Sequence, residues 1–213
     1  MEQLPGYLPG ILLAYSAFLL GIASPGPNVL AVIGTSMSAG RPSGIALALG
    51  VATGSLSWAL LTVLGLSALL ATYSAALTMI KIVGGCYLIW LAFKSFRSAA
   101  SSKDLAVKTL AGNTRSPAGF FLRGYIIQMT NPKAALTWIA IVSLGLQEGA
   151  PLWVGFVIVL GTFILSILAH TLYALAFSTP AMVRLYGHAR RKIQVLLGGF
   201  FAFAGARLLT SSG

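Results

Sequence analysis

Two short proline motifs hold the polar residues of this sequence that could do chemistry in an apolar environment. They are Ser24-Pro25-Gly26-Pro27-Asn28 and Thr130-Asn131-Pro132-Lys133. Proline lacks an N–H and clashes with the preceding turn, so each motif is predicted to interrupt a helix. Backbone groups freed in hydrocarbon need a partner from protein, water or a bound solute. Each motif is therefore a candidate binding site.

The residue before a proline in each motif has the type that begins a helix. Ser24 and Asn131 are predicted N-caps, each with proline at the next position, N1. The N–H groups and dipole at the start of such a half-helix favour an anion such as a carboxylate. The carbonyls that end the preceding half-helix suit an ammonium group. A free amino acid carries both groups, so the motifs favour a zwitterionic substrate.

Lys133 places a charge inside a predicted span. Such a charge costs several kcal/mol unless it is paired or hydrated. The three acidic residues of the chain, at positions 2, 104 and 148, all lie outside the predicted spans. A substrate carboxylate is one candidate partner, and snorkelling or a bond to backbone carbonyls of the broken helix is the alternative. Asn28 and Asn131 either line the site or only cap the half-helices.

The binding prediction extends to nearby polar residues, and a histidine is the candidate for proton coupling. The predicted substrate-binding residues are Ser24, Pro25, Gly26, Pro27, Asn28, Gln128, Thr130, Asn131, Pro132 and Lys133. His170 is the one histidine inside a predicted span, and imidazole can change charge near pH 7. A structural hydrogen bond across helices is the other interpretation of His170.

The composition requires that these motifs be held by membrane-spanning helices. Of 213 residues, 57% are hydrophobic and 8% are charged, where soluble domains carry about 25% charged residues. This excludes soluble and disordered classes. Continuous apolar runs predict six spanning helices. They are Leu8–Met37, Ser43–Ala71, Leu77–Phe96, Gly119–Leu146, Leu152–Phe177 and Ile193–Leu209.

The pattern of basic residues predicts orientation. Alternating crossings put most of the 14 Lys and Arg residues on one side, which is the positive-inside pattern. Both termini are then outside and the 98–118 loop is cytoplasmic, without a fixed structure. The basic residues are scattered, which argues against nucleic-acid binding. The sequence has no P-loop, no nucleophile elbow, no metal-ligand cluster and one cysteine, so we expect no enzyme, no cofactor and no metal.

The six predicted spans fall into two similar halves. The first and fourth are broken by proline, and the third and sixth carry a double glycine. Three spans per half predict a three-plus-three inverted repeat in an all-α membrane protein. The halves are 1–97 and 119–213, joined by the linker 98–118. Glycines predicted to pack helices closely are Gly50, Gly54, Gly84, Gly85, Gly198 and Gly199.

The motifs, taken in order, resemble the LysE/RhtB amino-acid exporter superfamily. The resemblance rests on the Pro-Gly-Pro-Asn run at 25–28, Gly40-Arg41-Pro42-Ser43-Gly44, Gly84-Gly85-Cys86-Tyr87-Leu88 and Asn131-Pro132-Lys133-Ala134. It covers essentially the whole chain and is nearest to the threonine/homoserine type. It implies a multi-pass protein of the bacterial inner membrane that exports an amino acid with the proton motive force. Membrane lipids, protons and a homodimer or larger homo-oligomer are the implied partners.

The substrate is inferred from what the spans lack. Members of the superfamily export basic or neutral amino acids, and some relatives handle cadmium. An exporter of basic amino acids or of a metal cation is expected to offer carboxylates or thiolates, and the predicted spans hold only Cys86. A small neutral amino acid is therefore favoured. The alternatives are a basic amino acid or cation, a passive channel, and a non-transporting membrane scaffold.

Overall fold

The computed structural model describes residues 4–24, 26–72, 75–101, 116–145 and 150–210. Within these ranges all regular secondary structure is helical, which confirms the all-α class for them. The helices are α1 Leu4–Ala23, α2 Pro27–Ala39, α3 Arg41–Thr72, α4 Ala75–Ala100, α5 Pro117–Met129, α6 Pro132–Gly145, α7 Leu152–Ala176 and α8 Pro180–Thr210. The predicted 98–118 loop is helical at both ends, and 102–115 lie outside the described residues.

Four stretches of the described residues are long and apolar enough to cross a membrane. They are Pro5–Ala23, Arg41–Gly65, Leu152–Ala176 and Gly187–Thr210, and Pro132–Gly145 is a shorter apolar helix. Large apolar side chains on α7 face outward, since Leu160, Leu168 and Leu172 are each more than 60% exposed. Such a surface suits lipid and not water. The count of six spans remains a prediction.

Contacts at the two ends of α7 show the direction in which α1 and α2 run. At its start, the rings of Tyr7 on α1 and Trp153 on α7 meet edge to face with centroids 5.8 Å apart. At its end, Arg41, which follows α2, donates from Nε to Ser178 Oγ at 2.7 Å. The helices α1 and α2 therefore run together along the length of α7, with one interruption between them. We call this interruption, residues 24–26, the first break.

One end of the bundle gathers basic side chains. Arg41 bonds Ser178 there, and Arg190 Nη2 donates to Ser98 Oγ at 3.0 Å, which joins α8 to the end of α4. We call this the basic end and the opposite end the far end. The helix α6 finishes at the far end, because a Cβ on Gly10 of α1 would lie 3.0 Å from the Gly145 carbonyl oxygen.

The helices α3 and α5 touch through their backbones near the basic end. A Cβ on Gly50 would overlap the Phe121 carbonyl oxygen, and one on Gly124 would overlap the Leu47 carbonyl oxygen. A Cβ on Gly54 would lie 2.8 Å from Gln128 Cβ. Only glycine allows this approach, which holds α5 and the residues that follow it against α3. The interruption between α5 and α6, residues 130–131, is the second break.

The double glycines of α4 and α8 behave differently from one another. A Cβ on Gly85 would lie 2.6 Å from Leu209 Cγ, and one on Gly84 would lie 3.2 Å from Leu208 Cδ2. Gly198 lies against the Phe96 ring, with contacts of 2.7 to 2.8 Å for an added Cβ. Gly199 has no heavy atom within 4 Å of such a position. It packs against none of the described helices, in contrast to the prediction, because it follows Gly198 and so points about 100° away around α8.

Candidate functional site

The helix that follows the first break begins one proline later than predicted. The Ser24 N–H donates to the Leu20 carbonyl at 3.1 Å, so Ser24 closes the last turn of α1. The helix α2 begins at Pro27 with Gly26 in the N-cap position, extended at φ −106° and ψ −178°, and with no side-chain capping bond. Ser24 as an N-cap was therefore wrong. Either proline of the pair could begin a helix, and the second one does; Pro25 lies outside the described residues.

The helix that follows the second break begins where the sequence predicted. Asn131 Oδ1 accepts from the Lys133 N–H at 3.1 Å, which confirms its capping role. The Asn131 carbonyl accepts from the Ala134 N–H at 2.9 Å and from the Ala135 N–H at 3.3 Å. Asn131 therefore occupies the first N–H groups of α6, which were expected to be open to an anion.

Lys133 joins the two breaks. Its Nζ donates to the Ser24 carbonyl oxygen at 2.8 Å. That oxygen belongs to the last turn of α1, where the helix dipole places partial negative charge. The alternative in which Lys133 bonds a backbone carbonyl of a broken helix is thus realised. The acidic residues Glu2, Asp104 and Glu148 lie outside the described residues.

A pair of amides forms a second link between the breaks. Asn28 Nδ2, in the first turn of α2, donates to Gln128 Oε1 near the end of α5 at 2.9 Å. Gln128 is only 4% exposed. Trp58 Nε1 on α3 donates to the Gln128 carbonyl at 3.2 Å. Gln128 is therefore bonded through its side chain to Asn28 of α2 and through its backbone carbonyl to Trp58 of α3.

Aromatic residues that the sequence analysis gave no role support the second break. Tyr87 Oη on α4 donates to the Lys133 carbonyl at 3.1 Å and lies 3.3 Å from Thr137 Oγ1. Trp138 Nε1 on α6 donates to Ser55 Oγ on α3 at 3.1 Å. A Tyr or Trp in mid-span needs a partner for its polar atom, and that need was a usable signal.

A cavity of about 380 Å³ reaches the breaks from the direction of the basic end. We call it the vestibule. Its wall toward the basic end includes Ser98 of α4, which also contacts Arg190. Its lining comprises Ser24, Gly26, Pro27, Tyr87, Trp90, Leu91, Lys94, Ser95, Ser98, Asn131, Pro132, Lys133, Leu136 and Gln194. Lys133 and Lys94 are its charged members, so it is positively charged.

A second, smaller cavity shares two residues with the vestibule. We call it the inner cavity, and its volume is about 40 Å³. That suffices for roughly one to three water molecules and not for an amino acid. It is lined by Phe18, Gly21, Ile22, Asn28, Ser55, Gln128, Asn131, Lys133, Ala134, Thr137, Trp138 and His170. Asn131 and Lys133 line both cavities, so the breaks lie between them.

His170 lies in the lining of the inner cavity with one ring nitrogen unused. The side chain is 1% exposed. Its Nδ1 lies 2.9 Å from the Ser166 carbonyl oxygen and 3.2 Å from Ser166 Oγ. An Nδ1–H that donates to the carbonyl leaves Nε2 as an acceptor, and within the part of the chain that the structure describes Nε2 is buried without a hydrogen-bond partner. A buried acceptor of this kind is costly unless water or a proton reaches it.

The structure gathers most of the predicted binding residues but not all. Thr130 lines neither cavity, since it is exposed and its Oγ1 donates to the Ile126 carbonyl of α5 at 2.7 Å. Gln128 and Thr130 are two positions apart and so face opposite sides of a helix. Pro27 and Pro132 are exposed to the vestibule. The binding roles of the gathered residues remain predictions.

Comparison with known proteins shows which protein family the chain resembles. The LysE type translocator family matches residues 19–212. The uncharacterized membrane protein YahN of Escherichia coli (strain K12) is 32% identical over 203 residues, 95% of this chain and 90% of that protein. The threonine efflux protein of Salmonella typhi is 30% identical, over 91% of this chain and 94% of that protein. The leucine efflux protein of Salmonella choleraesuis (strain SC-B67) is 29% identical, over 93% and 95%.

No solved structure matches the chain. The family match begins within α1 and ends beyond α8, so it includes both breaks and every described residue that lines the two cavities except Phe18. The relatives correspond over nearly their full lengths. The chain therefore belongs to the LysE type translocator family, and it is a membrane transporter rather than an enzyme.

Proposed function

We propose that this transporter exports small neutral amino acids from the cytoplasm and that the proton motive force drives it. One observation carries the proposal. A vestibule large enough for an amino acid ends at two broken helices, where the Lys133 ammonium meets the Ser24 carbonyl at 2.8 Å. These two groups match the carboxylate and the ammonium of a free amino acid. Broken helices at mid-membrane are the usual site of substrate in secondary transporters.

The charge of the vestibule supports a neutral substrate. Lys94 and Lys133 line it, and none of the described residues that line it is acidic. A substrate with a basic side chain would be repelled there, while a neutral amino acid brings one carboxylate to a positive site. Two similar proteins are named threonine efflux protein and leucine efflux protein, and both of those substrates are neutral.

The orientation follows from the positive-inside pattern. The proposal places the basic end in the cytoplasm, both termini outside, and six spans in two inverted halves. In that arrangement the vestibule opens to the cytoplasm. Beyond the inner cavity, Phe18 and Trp138 lie with ring centroids 5.4 Å apart and join the buried core toward the far end. The conformation would then be inward-facing, as an exporter needs in order to load.

His170 is the proposed proton carrier. It lines the inner cavity, and its Nε2 has no hydrogen-bond partner among the described residues. A proton on Nε2 would add positive charge beside the cavity that also contains Lys133. Two neighbouring positive charges favour release of one of them, which provides a physical link between proton movement and the state of Lys133. The His170→Gln variant should therefore still transport the amino acid down the concentration gradient of that amino acid, but a pH gradient across the membrane should no longer change its transport rate.

Everted membrane vesicles test the function directly. Vesicles containing the protein are energised and given radiolabelled threonine, leucine or lysine, with empty vesicles as the control. We expect uptake of threonine or leucine that a protonophore abolishes, and little uptake of lysine. Failure to take up any amino acid above the empty vesicles would reject the proposal and favour a scaffold.

Two further outcomes distinguish the remaining alternatives. Uptake that continues unchanged after the protonophore would indicate a passive channel. Preferential uptake of lysine would indicate an exporter of basic amino acids. Lys133→Met serves as the matched inactive variant, and it should accumulate in the membrane to the same level as the parent protein.

A further inference from the structure

The contact between Lys133 and Ser24 connects two helices that are far apart in sequence. The donor Nζ belongs to Lys133 in the first turn of α6, and the acceptor is the carbonyl oxygen of Ser24 at the end of α1. The two residues are 109 positions apart in sequence, and the two atoms are 2.8 Å apart. Both residues line the vestibule. The bond therefore lies at the inner end of the cavity, within reach of a solute that enters it.

The bond has the chemistry of one that a substrate can replace. An ammonium bonded to a neutral carbonyl is weaker than an ammonium bonded to a carboxylate. The lysine ammonium has three N–H donors, and the structure directs one of them to Ser24. The Ser24 carbonyl, at the negative end of α1, can equally accept from a substrate ammonium. A zwitterion would thus exchange one hydrogen bond for two charge-assisted ones.

We propose that the Lys133–Ser24 hydrogen bond is a latch between the two breaks, which the carboxylate and ammonium of one amino acid open together. The inference rests on the proposed function and names how its substrate is recognised. The carboxylate takes Lys133 Nζ, and the ammonium takes the Ser24 carbonyl. The two groups of an α-amino acid are carried on a single carbon, roughly 3 Å apart. A molecule with only one of them can replace only half of the latch.

The wall beside the latch determines what the substrate side chain meets. Leu91 and Leu136 line the vestibule next to Lys133. Trp90 stacks on Tyr87 with ring centroids 5.6 Å apart and holds Lys94 Nζ 4.5 Å from its own centroid. The latch region thus offers an apolar surface to the side chain, with the Lys94 charge held toward Trp90. This arrangement selects amino acids by their backbone groups and tolerates an apolar side chain.

Opening the latch has a consequence for α1 and α6 that can be measured. A Cβ on Gly21 would lie 3.6 Å from Thr137 Cγ2, so cysteines at these positions meet across the two helices while the latch is closed. The background carries Cys86→Ser, which removes the native cysteine. The rate of oxidative cross-linking of Gly21→Cys with Thr137→Cys, in the full-length protein in lipid nanodiscs, then reports whether the helices have separated.

The probes are L-leucine, L-threonine, the amine leucinol and the hydroxy acid 2-hydroxy-4-methylpentanoate. We expect at least one of the two amino acids to slow cross-linking by about fivefold or more, as a shift of most molecules to the open state requires. Leucinol and the hydroxy acid should leave the rate unchanged. Addition of Lys133→Met should remove the effect of the amino acid. Addition of Lys192→Met, at an exposed lysine of α8 that lines neither cavity, should retain it.

Counterflow of leucine and threonine with the same cysteine variant under reducing conditions separates the two levels of failure. If counterflow occurs but neither amino acid slows cross-linking, the latch is wrong and the proposed function stands. The latch is equally wrong if leucinol or the hydroxy acid protects as well as the amino acid does. If the parent protein catalyses no counterflow of any amino acid, the proposed function fails and the latch fails with it.

Discussion

The first break and the second break both end one half-helix and start another at a proline, yet their polar groups are arranged differently. At the first break, Gly26 precedes Pro27 and no side chain caps α2. At the second, Asn131 caps α6 with its own side chain and backbone, and Lys133 follows in the first turn. One break contributes a carbonyl oxygen, and the other contributes a cation.

This difference shows that the two breaks are complementary rather than equivalent. A pair of identical breaks would present two carbonyls or two charges to each other, and neither pairing is favourable. Here the Lys133 ammonium meets the Ser24 carbonyl, and the amides of Asn28 and Gln128 bond each other beside it. The predictions below test that division of roles, from the largest expected effect to the smallest.

The charge at the second break should matter most. Lys133→Met removes the only ammonium among the described residues that lines both cavities. A hydrogen bond to a charged group contributes about 1.5–3 kcal/mol, so we expect export to fall about 10- to 150-fold. Initial efflux rates at matched membrane abundance measure this. Lys94→Met is the control and should lose less than Lys133→Met, because Lys94 is exposed near Trp90. Similar activity of Lys133→Met and the parent would contradict the role given to this break.

The second break should also depend more strongly on close helix packing. A Cβ on Gly50 would overlap the Phe121 carbonyl of α5, whereas one on Gly21, near the first break, would make ordinary contact 3.6 Å from Thr137 Cγ2. Overpacking costs about 1–3 kcal/mol. Gly50→Ala should therefore lower the thermal unfolding temperature in detergent, and Gly21→Ala should leave it nearly unchanged. Equal unfolding temperatures for the two variants would show that backbone contact with α3 does not hold the second break.

A side-chain cap should contribute to stability at the second break and not at the first. Asn131→Ala removes the bond to the Lys133 N–H and should cost about 0.5–2 kcal/mol. Gly26→Ala removes no side-chain bond, and the added Cβ would lie 3.0 Å from Asn28 Oδ1. It should cost less than Asn131→Ala, by at least the few tenths of a kcal/mol that separate glycine from a capping side chain. Thermal unfolding compares the two, and Asn131→Ser, which can still cap, should recover part of the loss. A larger loss for Gly26→Ala would reverse the comparison.

The amide pair should show the smallest effect, and it measures how the breaks couple. Asn28→Ala, Gln128→Ala and the double variant form a cycle across the 2.9 Å hydrogen bond. A neutral hydrogen bond predicts a coupling of about 0.5–1.5 kcal/mol in unfolding free energy. Additive single effects would mean that the breaks are joined through Lys133 and Ser24 alone.

Local rules predicted much of this arrangement, and their failures are informative. Asn131 before Pro132 is a helix start whose signal lies within three residues, and the structure agrees. Ser24 was misassigned because Pro25 and Pro27 offer two possible starts, and local sequence does not choose between them. Thr130 was grouped with the binding residues, but it lies two residues after Gln128, on the opposite face of the helix, and lines neither of the two described cavities.

The sequence by itself determined the membrane class, the two motifs in which the breaks lie, the need for glycine at Gly50 and Gly54, and the membership of the family. These follow from composition, from proline geometry and from short spacings, which act over a few residues. Only the tertiary structure decided that Lys133 meets Ser24, that Asn28 meets Gln128, and that no described residue bonds His170 Nε2 beside the inner cavity. Such pairings depend on how separate helices cross, and no pattern along a single helix encodes the partner on another.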